Sequence, residues 1–349
     1  MKIVVLCGGI STEREISIIS GEGVVRALRE KGHRAILLDV YFGDEYVQLM
    51  DAFPEHYDID AALQKIHACD EQLASAKANP TRSFFGANVI KLCRMADIVF
   101  LALHGQNGED GKVQAAFDLS GIRYTGAGPL GSAMAMDKRI TKIMLKAQGI
   151  PVPRGISVMK GEKIEPLEKY GLKYPVVVKV CCGGSSVGVY IAHDANAFDE
   201  SLSTAFLYED RVIIEEYIEG REFSVGVVDG EALPVIEIAP KEGFYDYKNK
   251  YTAGATVETC PADLPGDVAK TIRSYAVRGY QALCLEGYAR LDFMMQHDGR
   301  IYCLEANTLP GMTPTSLIPQ EAGALGIDYP TLCEKLIEVS LKKYGGKVR

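Results

Sequence analysis

Residues 288–307 read YARLDFMMQHDGRIYCLEAN, and the rest of the chain is best understood outward from them. Two apolar-rich runs, Tyr288–Gln296 and Arg300–Asn307, flank Asp298-Gly299, a strong signal for a tight hairpin turn. With a two-residue turn, His297 faces Arg300, Asp292 faces Glu305 and Arg290 faces Asn307. Side chains alternate along a strand, so Arg290, Asp292, Glu305 and Asn307 share one face of the sheet. Leu291, Phe293 and Met295 take the other face and supply packing. Two carboxylates in direct cross-strand opposition repel, and a fold avoids them unless positive charge lies between. Oxygens of Asp, Glu and Asn on one patch are hard ligands suited to Mg²⁺, which commonly binds one or two carboxylates plus nucleotide phosphates. Asp292, Glu305 and Asn307 are therefore the candidate metal ligands, and Arg290 beside them can grip a phosphoryl oxygen. A merely solvated polar face leaves the opposed acids unexplained.

Upstream, strands and helices alternate. Lys2–Cys7 reads as a buried strand, Ser17–Lys31 as a helix ended by Gly32, and Ala35–Val40 as a second strand. After an irregular region at 41–95, with one helix near Ile59–Ala78, come a strand at Asp97–Leu103 and a helix over Val113–Leu119. This rhythm predicts a parallel sheet covered by helices. A loop at 125–131 leads into one long helix to Gln148, stopped by Gly149, Pro151 and Pro153. Strands follow at Gly155–Met159, Pro175–Val180, Val189–Ala192 and Arg211–Tyr217, with a helix from Ala195. The pattern then turns antiparallel: Phe223–Val228 and Ala232–Ile238 are joined by Asp229-Gly230. A polar, Tyr-rich stretch spans 243–259, a helix covers Leu264–Leu283, and the chain ends in helices.

A chain of 349 residues exceeds what one core usually supports, so two or three domains are expected. With 38 Lys+Arg against 46 Asp+Glu the net charge is −8, and no long basic run offers a footprint for nucleic acid. The apolar run Ile3–Cys7 is too short for a signal-peptide core or a membrane span, and no later stretch reaches membrane length. Nine cysteines without metal-ligand spacing point to reduced thiols in the cytoplasm, with Cys181-Cys182 as packing thiols at a strand end.

Two elements suit a nucleotide. Lys179 ends an apolar strand and precedes Gly183-Gly184-Ser185-Ser186-Val187-Gly188, whose backbone N–H groups and two hydroxyls can cradle phosphate oxygens; a plain turn is the alternative. A strand-end lysine that cannot stay buried unpaired favours the cradle. Along Glu215-Glu216-Tyr217-Ile218 and Glu222 an acid can accept from an adenine amino group, the backbone can pair with the ring, and Glu222 can reach ribose hydroxyls; an amphipathic edge strand fits equally. Gly8-Gly9 lacks the third glycine of a dinucleotide fingerprint, which argues against NAD.

Taken in order, seven segments resemble the D-alanine–D-alanine ligase family of the ATP-grasp type. They are Gly8–Glu15, His104–Gly111, Met136-Asp137-Lys138, Lys179–Gly188, Phe244–Tyr247 with Lys250-Tyr251, Arg290-Leu291-Asp292, and Glu305–Thr313 ending at Ser316. The resemblance implies an α/β fold of three domains, 1–124, 125–219 and 220–349, the last two sandwiching ATP. It implies a two-step reaction, in which ATP phosphorylates the carboxylate of one D-alanine and the amine of a second attacks the acyl phosphate. Glu13 then holds the first ammonium in a hydrogen-bonded set with Ser185 and Tyr251, and His104 lies near the first substrate. Lys138 and Lys179 neutralise phosphates, and Ser186 and Phe244 join the nucleotide contacts. Lys250 and Arg290 stabilise the transferring phosphoryl group, Gly311 offers an N–H to the oxyanion, and Ser316 binds the second carboxylate. Asp292, Glu305 and Asn307 hold two Mg²⁺ ions, for which Mn²⁺ can substitute. A homodimer and a role in peptidoglycan precursor synthesis are implied too.

The sequence departs from the family at Val180, Gly183, Glu216 and Pro314, and none of these changes removes a group assigned to the chemistry. The pair Lys250-Tyr251 and the residue Leu317 favour D-alanine over D-lactate or D-serine as second substrate. The competing classes are an ATP-binding sensor without chemistry and a phosphotransferase. Intact Lys250, Arg290 and metal ligands speak against the sensor. The stretch 243–259 reads as a loop closing over the site and excluding water from the acyl phosphate.

Overall fold

The computed structural model describes residues 1–79, 81–184, 187–241 and 254–345. The first sheet contains β1 (Lys2–Cys7), β2 (Arg34–Asp39) and β3 (Ile98–Leu101), all parallel in the order β2-β1-β3. Strand β1 is apolar on both faces because both are covered. Ile3, Val5 and Cys7 enter one core cluster, whereas Val4 and Leu6 enter the other. The C-terminal helix Tyr329–Leu341 returns to the first of these clusters.

A second, four-stranded sheet holds β4 (Gly155–Met159), β5 (Val176–Val180), β6 (Val189–Ala192) and β7 (Arg211–Glu216) in the order β4-β7-β5-β6. All its pairings are antiparallel, so the antiparallel part begins well before Phe223, where the sequence pattern places it. The third sheet runs β11-β10-β8-β12-β13, with β9 beside β8. Its strands are β8 (Gly220–Val228), β9 (Glu231–Ala232), β10 (Ile236–Pro240), β11 (Thr256–Thr259), β12 (Tyr288–Gln296) and β13 (Ile301–Asn307). Asp229 and Gly230 form the expected tight turn, both with the positive φ (57° and 79°) that its mirror-image type requires.

Several expected elements are divided. The single helix foreseen up to Gln148 is two, Pro129–Met136 and Lys138–Ala147. Asp137 sits between them in extended conformation and accepts from the backbone N–H of Arg139 and Ile140, capping the second helix. Both helices share a core with the third sheet through Ala135 and Leu145. The helix near Ile59–Ala78 is broken at Asp70–Gln72, and a helix at Val89–Met95 was not foreseen. The strand Ala232–Ile238 is interrupted around Pro234, which has no N–H for the ladder. Residues Thr256–Thr259, expected within the closing loop, are a strand paired with β10. Of the cysteine pair, Cys181 is buried and packs as expected, but Cys182 is exposed.

Candidate active site

The β12–β13 hairpin forms the floor of a cleft. Arg290 pairs with Asn307 and Asp292 with Glu305, as expected, yet the turn is not the two-residue one. Gln296 N–H donates to Arg300 and Gly299 N–H to Gln296, leaving a three-residue loop His297–Gly299 with Gly299 at φ 87°. Beyond the turn the register is one residue out, Phe293 facing Cys303, until a bulge between Asp292 and Phe293 restores it. The extra residue on β13 is Leu304. Two departures from the simple hairpin cancel.

The opposed acids each have a cation. Arg290 donates to both oxygens of Asp292 at 2.9 and 2.8 Å, and Lys138 Nζ lies 3.2 Å from Glu305. Ser224 Oγ and Asn307 Nδ2 also donate to Asp292, at 2.6 and 2.9 Å. Lys138 further donates to the Gly183 carbonyl at 2.5 Å, tying the floor to the glycine segment. Burial opposes the Lys138 charge, but Glu305 outweighs it and holds the ammonium above its ordinary range. Two carboxylates and an amide on one face are a donor set that fits a hard divalent ion.

The wall of the cleft is the second sheet. One cavity is lined by Lys138, Lys179, Glu215, Glu216, Tyr217, Ile218 and Glu222, together with Asp292 and Glu305 from the floor. Every described member of the expected nucleotide set is thus on a single surface. Glu215 is almost wholly buried and bound by two lysines, Lys179 at 2.6 Å and Lys142 at 2.5 Å. Burial alone would raise its pKa, but the two ammonium groups outweigh that and lower it. Glu216 accepts from the Arg154 N–H at 2.8 Å, so its carboxylate serves the sheet edge.

The N-terminal sheet supplies the third side. Glu13 is buried, and its carboxylate rests against Gly105 and Gly184, where an added Cβ would meet it at 2.8 and 2.7 Å. Both glycines let the carboxylate approach the backbone. His104 Nδ1 donates to the Leu309 carbonyl at 2.9 Å, while Nε2 lies 3.3 Å from Ser20 Oγ. Burial pushes the imidazole pKa down, only partly opposed by Glu13, so His104 is neutral. Glu109 takes the other end of the same residue, accepting from Leu309 N–H at 3.0 Å and from Gly105 N–H at 2.8 Å. Burial and the Glu13 charge push the Glu109 carboxyl up to about 7. Ser20 Oγ also accepts from Met312 N–H at 3.3 Å. The segment carrying Gly311 is therefore pinned on both sides, by Ser20 of the first helix and by His104 and Glu109 of the loop after β3. Ser316 Oγ accepts from Thr313 N–H at 3.0 Å and lies beside Gly311.

Models of the "D-ala D-ala ligase N-terminus" and "C-terminus" match residues 2–127 and 144–338. The chain belongs to the D-alanine–D-alanine ligase family. It is 42% identical to the D-alanine–D-alanine ligase of Pediococcus pentosaceus, over 99% of both chains. To the enzyme of that name from Lacticaseibacillus casei it is also 42% identical, covering 99% of this chain and 97% of the relative. Among solved structures it resembles the Bacillus anthracis ligase complexed with ATP, with a TM-score of 0.75 at 30% identity and 99% coverage of both chains.

For this ligase-family chain, Ser185, Ser186, Phe244, Lys250 and Tyr251 lie outside the described residues. Lys142 is additional to the expected site residues; it stands one helical turn after Lys138 and shares its face. Glu109, Ser20 and Ser224 are additional as well. Glu109 lies within the segment His104–Gly111, whereas Ser20 carries no signal until His104 and Met312 are brought to it, and Ser224 none until β8 is paired with β12. Glu321 is a further addition: it is fully buried behind β8 and accepts from Gly226 N–H at 2.7 Å. Burial keeps its carboxyl well above the ordinary range. No helix among the described residues is long and apolar enough to cross a membrane.

Proposed function

We propose that this chain joins two D-alanines into D-alanyl-D-alanine at the expense of ATP, through an acyl phosphate, for peptidoglycan precursor synthesis. The observation that carries the reading is the single cleft in which the nucleotide residues, two phosphate-type lysines and the hard-oxygen floor meet. Adenine lies along Glu215–Ile218 and ribose near Glu222, with Lys138 and Lys179 on the phosphates. Asp292, Glu305 and Asn307 hold two Mg²⁺ ions, replaceable by Mn²⁺, which when bound neutralise phosphate charge. Arg290 grips the transferring phosphoryl group, together with Lys250. Such preorganised charge typically contributes several kcal/mol, about 3 to 4 for one strong donor.

Glu13 orients the first D-alanine by its ammonium, with Ser185, Tyr251 and His104 around it. A neutral His104 fits this place, since a second cation beside the ammonium would repel it. Gly311 offers its N–H to the oxyanion formed when the second amine attacks, and Ser316 holds the second carboxylate. Water exclusion falls to the segment 243–253. The domain division 1–124, 125–219 and 220–349, a homodimer and a cytoplasmic setting belong to the same reading.

A coupled ADP-release assay with a panel of D-amino and D-hydroxy acids tests it. D-alanine alone should drive ADP release, with one dipeptide formed per ADP. Phosphorylated D-alanine accumulating without dipeptide would make the protein a kinase instead, and ADP release indifferent to D-alanine would remove the ligase.

A further inference from the structure

Lys142 is a buried cation without a place in the reaction described above. It sits on the helix Lys138–Ala147, which packs on the third sheet, and reaches across to Glu215 on β7 of the second sheet. Lys179 reaches the same carboxylate from the neighbouring strand β5, where Val177 is the register partner of Glu215. The exposures of the three side chains are 9% for Lys142, 8% for Lys179 and 4% for Glu215. Lys179 and Glu215 line the nucleotide cavity, and Lys142 does not. Two ammonium groups and one carboxylate leave one surplus positive charge in a place with little water.

That surplus is costly while the cavity is empty. Burial pushes the Lys142 ammonium down to about 8, Glu215 opposing the shift and Lys179 adding to it. A single lysine would neutralise the carboxylate at lower cost, so packing and pairing of Glu215 in this one state do not require both. The second cation acquires a use once something draws Lys179 away. The group that can do so is anionic and enters by the cavity, because Lys179 faces it beside Gly183 and Gly184.

We infer that Lys142 is a positioning residue for nucleotide binding: it keeps Glu215 paired and oriented when the phosphates of the nucleotide take Lys179 from it. The inference rests on the nucleotide site proposed above and adds a handover within it. Free, Glu215 is held by both lysines. With phosphate bound, Lys179 turns to the ligand and Lys142 alone remains, so the carboxylate is never left buried and unpaired. Breaking a buried ion pair by removing one partner is strongly unfavourable, which is why the second lysine is needed only in the bound state.

This makes the effect of removing Lys142 depend on whether the ligand carries phosphate. Equilibrium binding of adenosine and of ADP with Mg²⁺ should be measured on the full chain, for wild type and Lys142→Met. In the variant Lys179 still pairs Glu215, so adenosine should bind within about twofold of wild type, whereas ADP should weaken by about tenfold or more. Equal weakening of both ligands, or none of either, overturns the handover. If wild type binds no ADP, the nucleotide reading itself falls and takes this inference with it. A second comparison covers a poorly folding Lys142→Met. In a Glu215→Gln background the neutral amide needs no cation, so adding Lys142→Met should cost ADP less than about twofold there. A full tenfold loss in that background would assign Lys142 a direct or purely structural role and overturn the proposal.

Discussion

The floor and the wall of the cleft are both built from lysine or arginine on carboxylate, yet they are balanced differently. On the floor Arg290 and Lys138 face Asp292 and Glu305, two charges against two, and Glu305 keeps 26% of its side chain exposed. On the wall Lys142 and Lys179 share Glu215, two charges against one, with no side chain above 9% exposed. A balanced arrangement, partly open at Glu305, could exchange its partners as the proposed function requires: a divalent ion would take the carboxylates and leave Arg290 and Lys138 for phosphate. A closed arrangement with a surplus cation is poised for an anion. The chemistry of each surface thus follows from how many charges were buried together, and not from the residue types, which are nearly the same.

Changes on the floor should have the largest effects. Arg290→Ala removes both the partner of Asp292 and the proposed phosphoryl grip, so turnover should fall about 100- to 1000-fold while ATP affinity changes far less. Steady-state kinetics at saturating D-alanine would show it, and an unchanged turnover would end the assignment. Glu305→Gln should follow, raising the Mg²⁺ concentration for half-maximal rate about tenfold or more. A normal metal dependence would take Glu305 out of the ligand set and leave it as the partner of Lys138 only.

A smaller effect is expected where neither phosphate nor metal is touched. Glu109→Gln replaces one acceptor oxygen by an amide, so either Leu309 or Gly105 loses its partner, and turnover should drop several-fold, about 1 kcal/mol. The same residue gives a pH signature. Its carboxyl is raised to about 7, above the ordinary value of about 4.3, so the unfolded chain releases that proton first. The contribution to stability is complete below the unfolded value and is lost as pH rises through 7. Melting temperature should therefore decline more between pH 5 and 8 in wild type than in Glu109→Gln. Parallel profiles would mean that Glu109 is not held protonated.

The hairpin shows how much of this was legible in the chain. Alternation and the Asp298-Gly299 signal located Arg290, Asp292, Glu305 and Asn307 on one face, and the pairing is as read. It is so only because a longer loop and a bulge at Leu304 offset one another, and local pattern carries no sign of a bulge that tertiary packing imposes. Lys179 and Glu215–Ile218 were likewise legible as a strand-end lysine and an acidic edge, though not their common cavity. The break at Asp137 was visible in principle, since an Asp before a lysine-rich helix start is a capping residue. Of residues 41–95 only the helix beginning at Ile59 was: the later short helices gain their burial from Ala76, Val89 and Leu92 packing on the first sheet, and their own periodicity is too brief to announce them. Lys142 became meaningful only when its helix was placed against the second sheet, and Ser224 only when β8 was paired with β12.

The exchange on the floor can be observed directly in crystals grown with ADP and Mn²⁺, using anomalous diffraction to place the ions. Manganese should lie against Asp292, Glu305 and Asn307, with Arg290 and Lys138 released from the two carboxylates toward the phosphates. Manganese elsewhere, with Arg290 still on Asp292 and Lys138 still on Glu305, would contradict it.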